Sequence, residues 1–189
     1  MATANDIEAP LRLAGRLTFA SGVLGALGVV FMTAMFTSFA VGAKPAGMVF
    51  GWINDVLVML AYLLTAPAVL VLVPLLRPRA PLLSVLVAVI GLLSIAGIVF
   101  LQMLLVIGVL TFEQQIGLVS IVYVGLAVWF VVTGYLGRAA GFLPDGVRMG
   151  ILGATYVGYP VWAFWLSRRL AEQTPVFPTQ RHPVIPMEE

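Results

Sequence analysis

The sequence of 189 residues contains no cysteine and a single histidine, His182. Without cysteine there is no disulfide, no thiolate metal ligand and no cysteine nucleophile. His182 lies in a polar C-terminal segment, so no histidine in the apolar stretches can bind haem, zinc or copper or serve a serine nucleophile as its base. We therefore expect no cofactor, no metal site and no catalytic residue.

Charge is also scarce. Only 10% of the residues are charged and 61% are hydrophobic, whereas roughly a quarter of a soluble domain is charged. A globule of this composition could not cover itself with polar side chains, so lipid must cover its outside. The ten lysines and arginines are spread along the chain instead of forming one patch. Membrane lipids are thus the expected surroundings, and nucleic acid is not an expected partner.

Five apolar stretches are long enough to cross a membrane, which takes about 20 helical residues for a hydrocarbon core of about 30 Å. Their unbroken apolar character is typical of helices and not of barrel strands, which alternate. The sequence therefore predicts an all-α integral membrane bundle of five transmembrane helices in one domain, 1–170, followed by a proline-rich extended tail, 171–189. The third stretch is so long that it should tilt strongly or project from the membrane. The stretches are about 17–40, 53–76, 81–112, 115–137 and 149–167.

The last stretch is the shortest, and it contains Gly150, Gly153, Gly158 and Pro160. An alternative fold therefore has four crossings and a re-entrant or surface helix. Five crossings with a cytoplasmic N-terminus put six basic residues inside and four outside, whereas the alternative puts nine inside and only Lys44 outside. Both counts follow the positive-inside rule, and they predict a multi-pass protein of the bacterial inner membrane with its N-terminus in the cytoplasm.

Asp55 is the only formal charge within the five stretches, near the predicted start of the second helix. One interpretation is that Asn54 or Asp55 caps this helix, where a carboxylate also meets the positive end of the helix dipole. The alternative is that Asp55 is a protonatable carboxylate at the mouth of a solute path, with Tyr62 two turns deeper as its hydrogen-bonding partner.

Glu113 lies between the third and fourth stretches. It is either a solvated loop residue or, if the long third helix holds it at membrane depth, part of a polar cluster with Gln102, Gln114 and Gln115. Such a cluster could bind a cation or relay a proton. We therefore consider Asp55, Tyr62, Gln102 and Glu113 as candidate binding residues.

Small residues at four-residue spacing indicate close helix packing in lipid. Gly150, Ala154 and Gly158 follow this spacing and predict one smooth stripe along the last helix. Gly22 and Ala26 form a shorter counterpart on the first helix. These five residues are the predicted helix-packing positions.

Proline and aromatic residues add two further expectations. Pro67 and Pro160 lie inside predicted helices, where each removes a backbone hydrogen bond and bends the helix. Trp162 and Tyr159 are expected near the membrane interface as anchors, whereas Trp129 is deeper and is expected to face a partner or a bound lipid.

The segment Arg12-Leu13-Ala14-Gly15-Arg16 opens the first helix, and Leu143-Pro144-Asp145-Gly146 opens the last. Together with the composition, they make the chain resemble families of small bacterial polytopic inner-membrane proteins of the domain-of-unknown-function type. This resemblance implies a membrane location and transfers no activity and no catalytic residue.

Three classes of function stay open. The low density of polar groups in the apolar stretches favours a non-catalytic accessory or structural subunit that packs against lipids and against partner membrane chains or further copies of itself. The alternative is a transporter or channel for a small solute or ion, which would use the candidate binding residues. A second alternative is a membrane enzyme that acts on a lipid or isoprenoid, with Asp55 or Glu113 as acid or base.

Overall fold

The computed structural model describes the backbone of residues 4–173 and the side chains of residues 8–173. In these residues all regular secondary structure is helical, and α1, α2, α3 and α4 are long and apolar enough to cross a membrane. The chain is therefore a membrane-embedded helical bundle. The predicted tail lies almost entirely outside the described residues. The six helices are α1 (Ala4–Ala40), α2 (Lys44–Leu76), α3 (Pro81–Val106), α4 (Phe112–Ala139), α5 (Gly146–Gly153) and α6 (Gly158–Glu172).

Several ends of the long helices differ from the predicted ones. α2 begins at Lys44, nine residues before the predicted start, because Pro45 occupies the first turn, where its missing N–H has no helical partner to lose. α3 ends at Val106 instead of residue 112, since the turn that follows contains Gly108 with a φ of +76°. At 26 residues, α3 is six residues shorter than the predicted stretch and rises about 39 Å. This rise still exceeds a hydrocarbon core of about 30 Å, so tilt or projection of α3 stays a prediction.

The helices form a closed ring in which each packs against the next and α6 packs against α1. α1 contributes a buried stripe that alternates three- and four-residue steps, the spacing of a coiled-coil seam. Its residues are small or polar after the first, which lets neighbouring backbones approach closely. The stripe consists of Leu11, Ala14, Thr18, Ser21, Gly25 and Gly28.

The last predicted crossing is not one continuous helix. It is interrupted at residues 154–157, between α5 and α6. Pro160 has no N–H to donate to the carbonyl of Tyr156, and the Thr155 hydroxyl instead accepts a hydrogen bond of 3.0 Å from the backbone N–H of Gly158. The bend expected at Pro160 is therefore a complete reversal of the chain, and the prediction of a helix over 149–167 was wrong.

α5 runs antiparallel to α4. Gly146 lies against the backbone of Gly134, and Gly150 lies one helical turn further along α5 against the backbone of Phe130. A Cβ atom on Gly134 or Gly146 would overlap the carbonyl oxygen of the other, and one on Gly150 would overlap that of Phe130. The two helices thus touch through their backbones.

α6 then returns antiparallel to α1. The Tyr156 hydroxyl lies near Gly28, and Leu170 lies near Gly15. Since α5 and α6 run in opposite directions, they form a helical hairpin that enters and leaves the bundle at one end. The start of α1, the turn between α2 and α3, and the end of α4 are at this same end.

The predicted packing stripe on the last helix was wrong, because Gly150 and Gly158 belong to different helices and Ala154 lies in the turn between them. On α1, Gly22 does lie against α6, where a Cβ atom would be 2.9 Å from the ring of Phe164. Ala26 is only half-buried, and the closest approach one turn along is made by Gly25 instead.

Aromatic residues of the hairpin point into the bundle. Trp162 of α6 is buried, and its ring lies 5.6 Å from that of Trp129 of α4 in an edge-to-face arrangement. Trp129 is itself 1% exposed. Gly91 of α3 makes room for Trp129, since a Cβ atom there would lie 2.6 Å from the indole ring. The expectations for Trp162 and Tyr159 were wrong, because the reversal of the chain at residues 154–157 turns these side chains inward. The expectation for Trp129 was wrong as well, because α3 and α6 cover its ring.

Candidate functional site

Three hydroxyl groups from three helices meet inside the bundle. The hydroxyl of Tyr159 in α6 lies 2.6 Å from Thr65 Oγ1 in α2 and within hydrogen-bond distance of Ser21 Oγ in α1. The Ser21 and Thr65 hydroxyls are themselves 3.0 Å apart. All three residues are buried. We call Ser21, Thr65 and Tyr159 the hydroxyl cluster.

Each member of the hydroxyl cluster has its hydrogen bonds satisfied locally. Thr65 donates to the carbonyl of Ala61 one turn earlier, at 3.1 Å, and the Tyr159 hydroxyl lies 3.2 Å from the same carbonyl oxygen. No carboxylate, lysine or histidine contacts the three hydroxyls in the described part of the chain. Hydroxyls without a neighbouring base are weak nucleophiles and weak acids. The cluster is therefore suited to joining helices.

Tyr62 packs over the hydroxyl cluster. Its ring lies 4.8 Å from that of Tyr159 and 5.8 Å from that of Tyr123 in α4. A cavity of about 10 Å³ lies beside these rings, and this volume is at the lower limit for one water molecule. The lining residues are Gly25, Val58, Ala61, Tyr62, Tyr156 and Tyr159.

Asp55 lies at the outer edge of this region. α2 begins eleven residues before it, so the capping interpretation of Asn54 and Asp55 was wrong. Asn54 instead accepts a hydrogen bond from the Tyr156 hydroxyl through Oδ1, and its Nδ2 lies 3.4 Å from Asp55 Oδ1. Asp55 is half-buried, and the described residues contain no direct hydrogen bond between Asp55 and Tyr62.

The polar residues near the turn between α3 and α4 do not form the expected cluster. Gln102 and Gln115 are buried and bonded to each other, with Gln115 Nε2 donating to Gln102 Oε1 at 3.1 Å. Gln114 belongs to a capping box with Thr111 at the start of α4. Glu113 is exposed in the first turn of that helix. The structure thus separates Glu113 from the glutamine pair, and a role of any of them in binding stays a prediction.

Comparison with protein-family models, with curated proteins and with solved structures found no match to this chain. The geometry of the described residues is therefore what supports any function.

The hydroxyl cluster could not be predicted from charged residues, because none of its members carries a charge. Ser21 and Thr65 are small polar residues, and Tyr159 is of the residue type that commonly anchors helices at the membrane interface. One signal was present: the three- and four-residue alternation of small and polar residues along α1 includes Ser21. The position of Tyr159 could not be predicted in this way, because it depends on the hairpin.

Proposed function

We propose that this chain is a non-catalytic subunit of a larger complex in the bacterial inner membrane, and that it binds a partner membrane chain through the paired ends of α1 and α2. We call residues 29–53 of these helices the arm. The observation that carries the proposal is that the arm extends past the rest of the bundle with an apolar, exposed surface.

The length of the arm follows from two matched positions. Tyr62 in α2 contacts Tyr123 in α4, and these helices run in the same direction. Gln115 and Asn54 each lie eight residues before the matched tyrosine, so they are at similar depth. α4 continues three residues past Gln115, to Phe112, whereas α2 continues ten past Asn54, to Lys44. α2 therefore extends about seven residues, or about 10 Å, beyond the start of α4. Glu113 is exposed and charged near the Gln115 level, which makes this level the natural boundary of the hydrocarbon.

The surface of the arm is unlike that of a helix end in water. Lys44 is its only charged residue, and its large apolar side chains are exposed. An apolar surface of this kind beyond the hydrocarbon indicates a binding site for another protein. The exposed residues are Val30, Phe36, Phe39, Val41, Met48, Val49 and Trp52.

The distribution of arginine predicts which end of the bundle faces the cytoplasm. Eight arginines of the described residues lie at the end where the hairpin enters, whereas Lys44 lies at the opposite end. By the positive-inside rule, the arginine-rich end faces the cytoplasm and the arm faces the other side. α5 and α6 then form a re-entrant hairpin between four crossings. The arginines are Arg12, Arg16, Arg77, Arg79, Arg138, Arg148, Arg168 and Arg169.

The absence of cysteine makes this orientation directly testable. We expect Glu113→Cys, which is exposed at the same end of the bundle as the arm and lies outside the arm, to react with a membrane-impermeant maleimide added outside spheroplasts. Gln173→Cys should react only after the membrane is opened. Equal labelling of both from outside would contradict the re-entrant hairpin and restore five crossings.

The partner is tested by purification in mild detergent. We expect the native chain to elute with a second chain, or a second copy, in fixed stoichiometry. Val41→Ala combined with Met48→Ala and Trp52→Ala should remove it, because these side chains cover the arm. The matched control changes exposed apolar residues within the hydrocarbon, Leu93→Ala and Ile121→Ala, and should keep it.

Two outcomes would oppose the proposal. The first is a native chain that is monomeric in every mild detergent and also gives no product from a photo-crosslinker at position 41 in intact membranes. The second is a partner that is lost equally from the arm variant and from the control variant, since the arm would then have no special role.

A transporter for a small solute or proton is the second candidate, and the observation that favours it is the half-buried Asp55 beside Asn54 and Tyr156. The cavity of about 10 Å³ beneath Tyr156 would have to widen for any solute. We would expect Asp55→Asn to abolish uptake in proteoliposomes while the bundle stays folded. An unchanged uptake rate, or no uptake by the native chain, would remove this candidate.

A further inference from the structure

A cleft opens between α1 and α6 at the arginine-rich end of the bundle. Its volume is about 410 Å³. Both helices contribute to it, and it combines positive charge, a hydroxyl group and one aromatic ring. The lining residues are Arg12, Gly15, Arg16, Phe19, Ser167 and Ala171.

Small residues create the floor of the cleft. Gly15 faces the backbone of α6 so closely that a Cβ atom would lie 3.4 Å from the carbonyl oxygen of Ser167. Ala171 lies one turn beyond Ser167 on α6, and its side chain is a single methyl group. Because the backbones meet at Gly15, the longer side chains on either side form walls around an open space.

Arg12 and Arg16 are one helical turn apart, so both guanidinium groups reach the same face of α1. Arg12 forms an ion pair of 3.6 Å with Glu8. Arg16 is exposed and has no ion-pair or hydrogen-bond partner among the residues that the structure describes. The cleft therefore carries a net positive charge.

The neighbouring arginines of α6 are engaged elsewhere. Arg169 Nη1 donates to Glu172 at 2.8 Å, and Arg168 Nε donates to the same carboxylate at 3.1 Å. These two hydrogen bonds hold the pKa of Glu172 below its usual value. Arg12 and Arg16 are the arginines that line the cleft. Arg16 is the unpaired one of the two among the described residues, and Arg12 lies beside it in its long ion pair with Glu8.

Phe19 shows what kind of ligand fits. It lies one turn deeper than Arg16, is 53% exposed, and packs on Phe164 with the ring centroids 5.3 Å apart. The cleft thus has two cationic groups at one edge and an exposed aromatic surface at the other. A ligand with an anionic head and an apolar body satisfies both edges.

We propose that this cleft binds the phosphate of an anionic glycerophospholipid. Guanidinium groups pair with phosphate oxygens through two parallel hydrogen bonds, and the Ser167 hydroxyl is available as a further donor. The glycerol and the first acyl carbons then pack against Phe19. Soluble phosphate shares the head chemistry and lacks the apolar body.

The test measures lipid binding to the full chain in neutral detergent by native mass spectrometry, with phosphatidylglycerol and phosphatidylcholine as probes. We expect a preference for phosphatidylglycerol. Arg12→Gln with Arg16→Gln should weaken its binding about 25-fold, at about fivefold for each arginine near a lipid headgroup. Arg77→Gln with Arg79→Gln removes the same charge from the same end outside the cleft, and should leave binding nearly unchanged.

Both arginines are exposed, so the double variant should fold, which circular dichroism and gel filtration will check. Equal weakening by the two double variants would overturn the proposal in favour of general surface charge. Equal binding of the two lipids would overturn it as well. Displacement of phosphatidylglycerol by inorganic phosphate would assign the cleft to a soluble anion instead of a lipid.

Discussion

The two halves of the bundle differ in how many helices they contain. At the arginine-rich end the α5–α6 hairpin lies between α4 and α1, and all six helices pack together. Beyond the hairpin only the four long helices continue, and α1 and α2 extend past the other two. The first half has close backbone contacts and the hydroxyl cluster, whereas the second has an exposed apolar surface. In the proposed function, the first half supplies stability and the second binds the partner chain.

The largest effect is expected where α4 and α5 touch through their backbones. In Gly146→Ala the new Cβ atom would overlap the carbonyl of Gly134, and rotation of a side chain cannot relieve an overlap with backbone. We expect a loss of about 3 kcal/mol in the free energy of unfolding, measured by titration with a denaturing detergent and followed by circular dichroism.

The control for this change lies in the other half. Gly117 is an exposed helical residue of α4 with no atom within 4 Å of a Cβ position. Gly117→Ala should stabilise the chain by up to about 1 kcal/mol, because alanine favours a helix over glycine. If both changes had the same effect, the two halves would not differ as described.

A smaller loss is expected from the hydroxyl cluster. Tyr159→Phe keeps the ring and removes the hydroxyl that bonds to Thr65 and Ser21, and should cost about 1–2 kcal/mol in the same titration. Tyr135→Phe changes a 62% exposed tyrosine and should have no effect. Equal stability of the two variants would mean that the hydroxyl cluster does not hold the hairpin in place.

A further test concerns the buried pair in the four-helix half. Gln102→Leu leaves the amide of Gln115 without its partner and should cost about 1 kcal/mol, whereas changing both glutamines to leucine should restore most of it. The measurement is a double-mutant cycle. A double variant less stable than the single one would show that the pair stabilises this half beyond satisfying its own polar groups.

The smallest effect is expected at the exposed end of α6. Glu172 has a lowered pKa because Arg169 and Arg168 donate to it, so its contribution is present at neutral pH and is lost as the pH falls through that lowered pKa. Glu172→Gln should therefore differ slightly from the native chain at neutral pH and match it in acid. A difference that persists in acid would contradict this assignment.

Much of the fold could be predicted because lipid imposes strong constraints on a sequence. The first four helices are visible as apolar runs. α1 begins at Ala4, thirteen residues before the predicted stretch, and the other large differences concern turns, where Pro45 and Gly108 decide. The hairpin could be considered only as an alternative, since a run such as 149–167 has the same composition whether it crosses or reverses. The candidate site was the least predictable part, because Thr65 and Tyr159 are 94 residues apart in the chain.

The sequence by itself determined that this protein is helical and lies in a membrane, because a chain with so few charges and such long apolar runs has no other way to satisfy its backbone. It also determined which end of the bundle is rich in arginine, because short connections make consecutive helices antiparallel and so bring their arginine-bearing ends together. Only the tertiary structure decided that the last segment turns back, that Tyr159 meets Ser21 and Thr65, and that Arg12 and Arg16 face an open cleft. These features depend on which surfaces meet, and the pattern within one segment, such as the stripe on α1, does not show which distant segment it will contact.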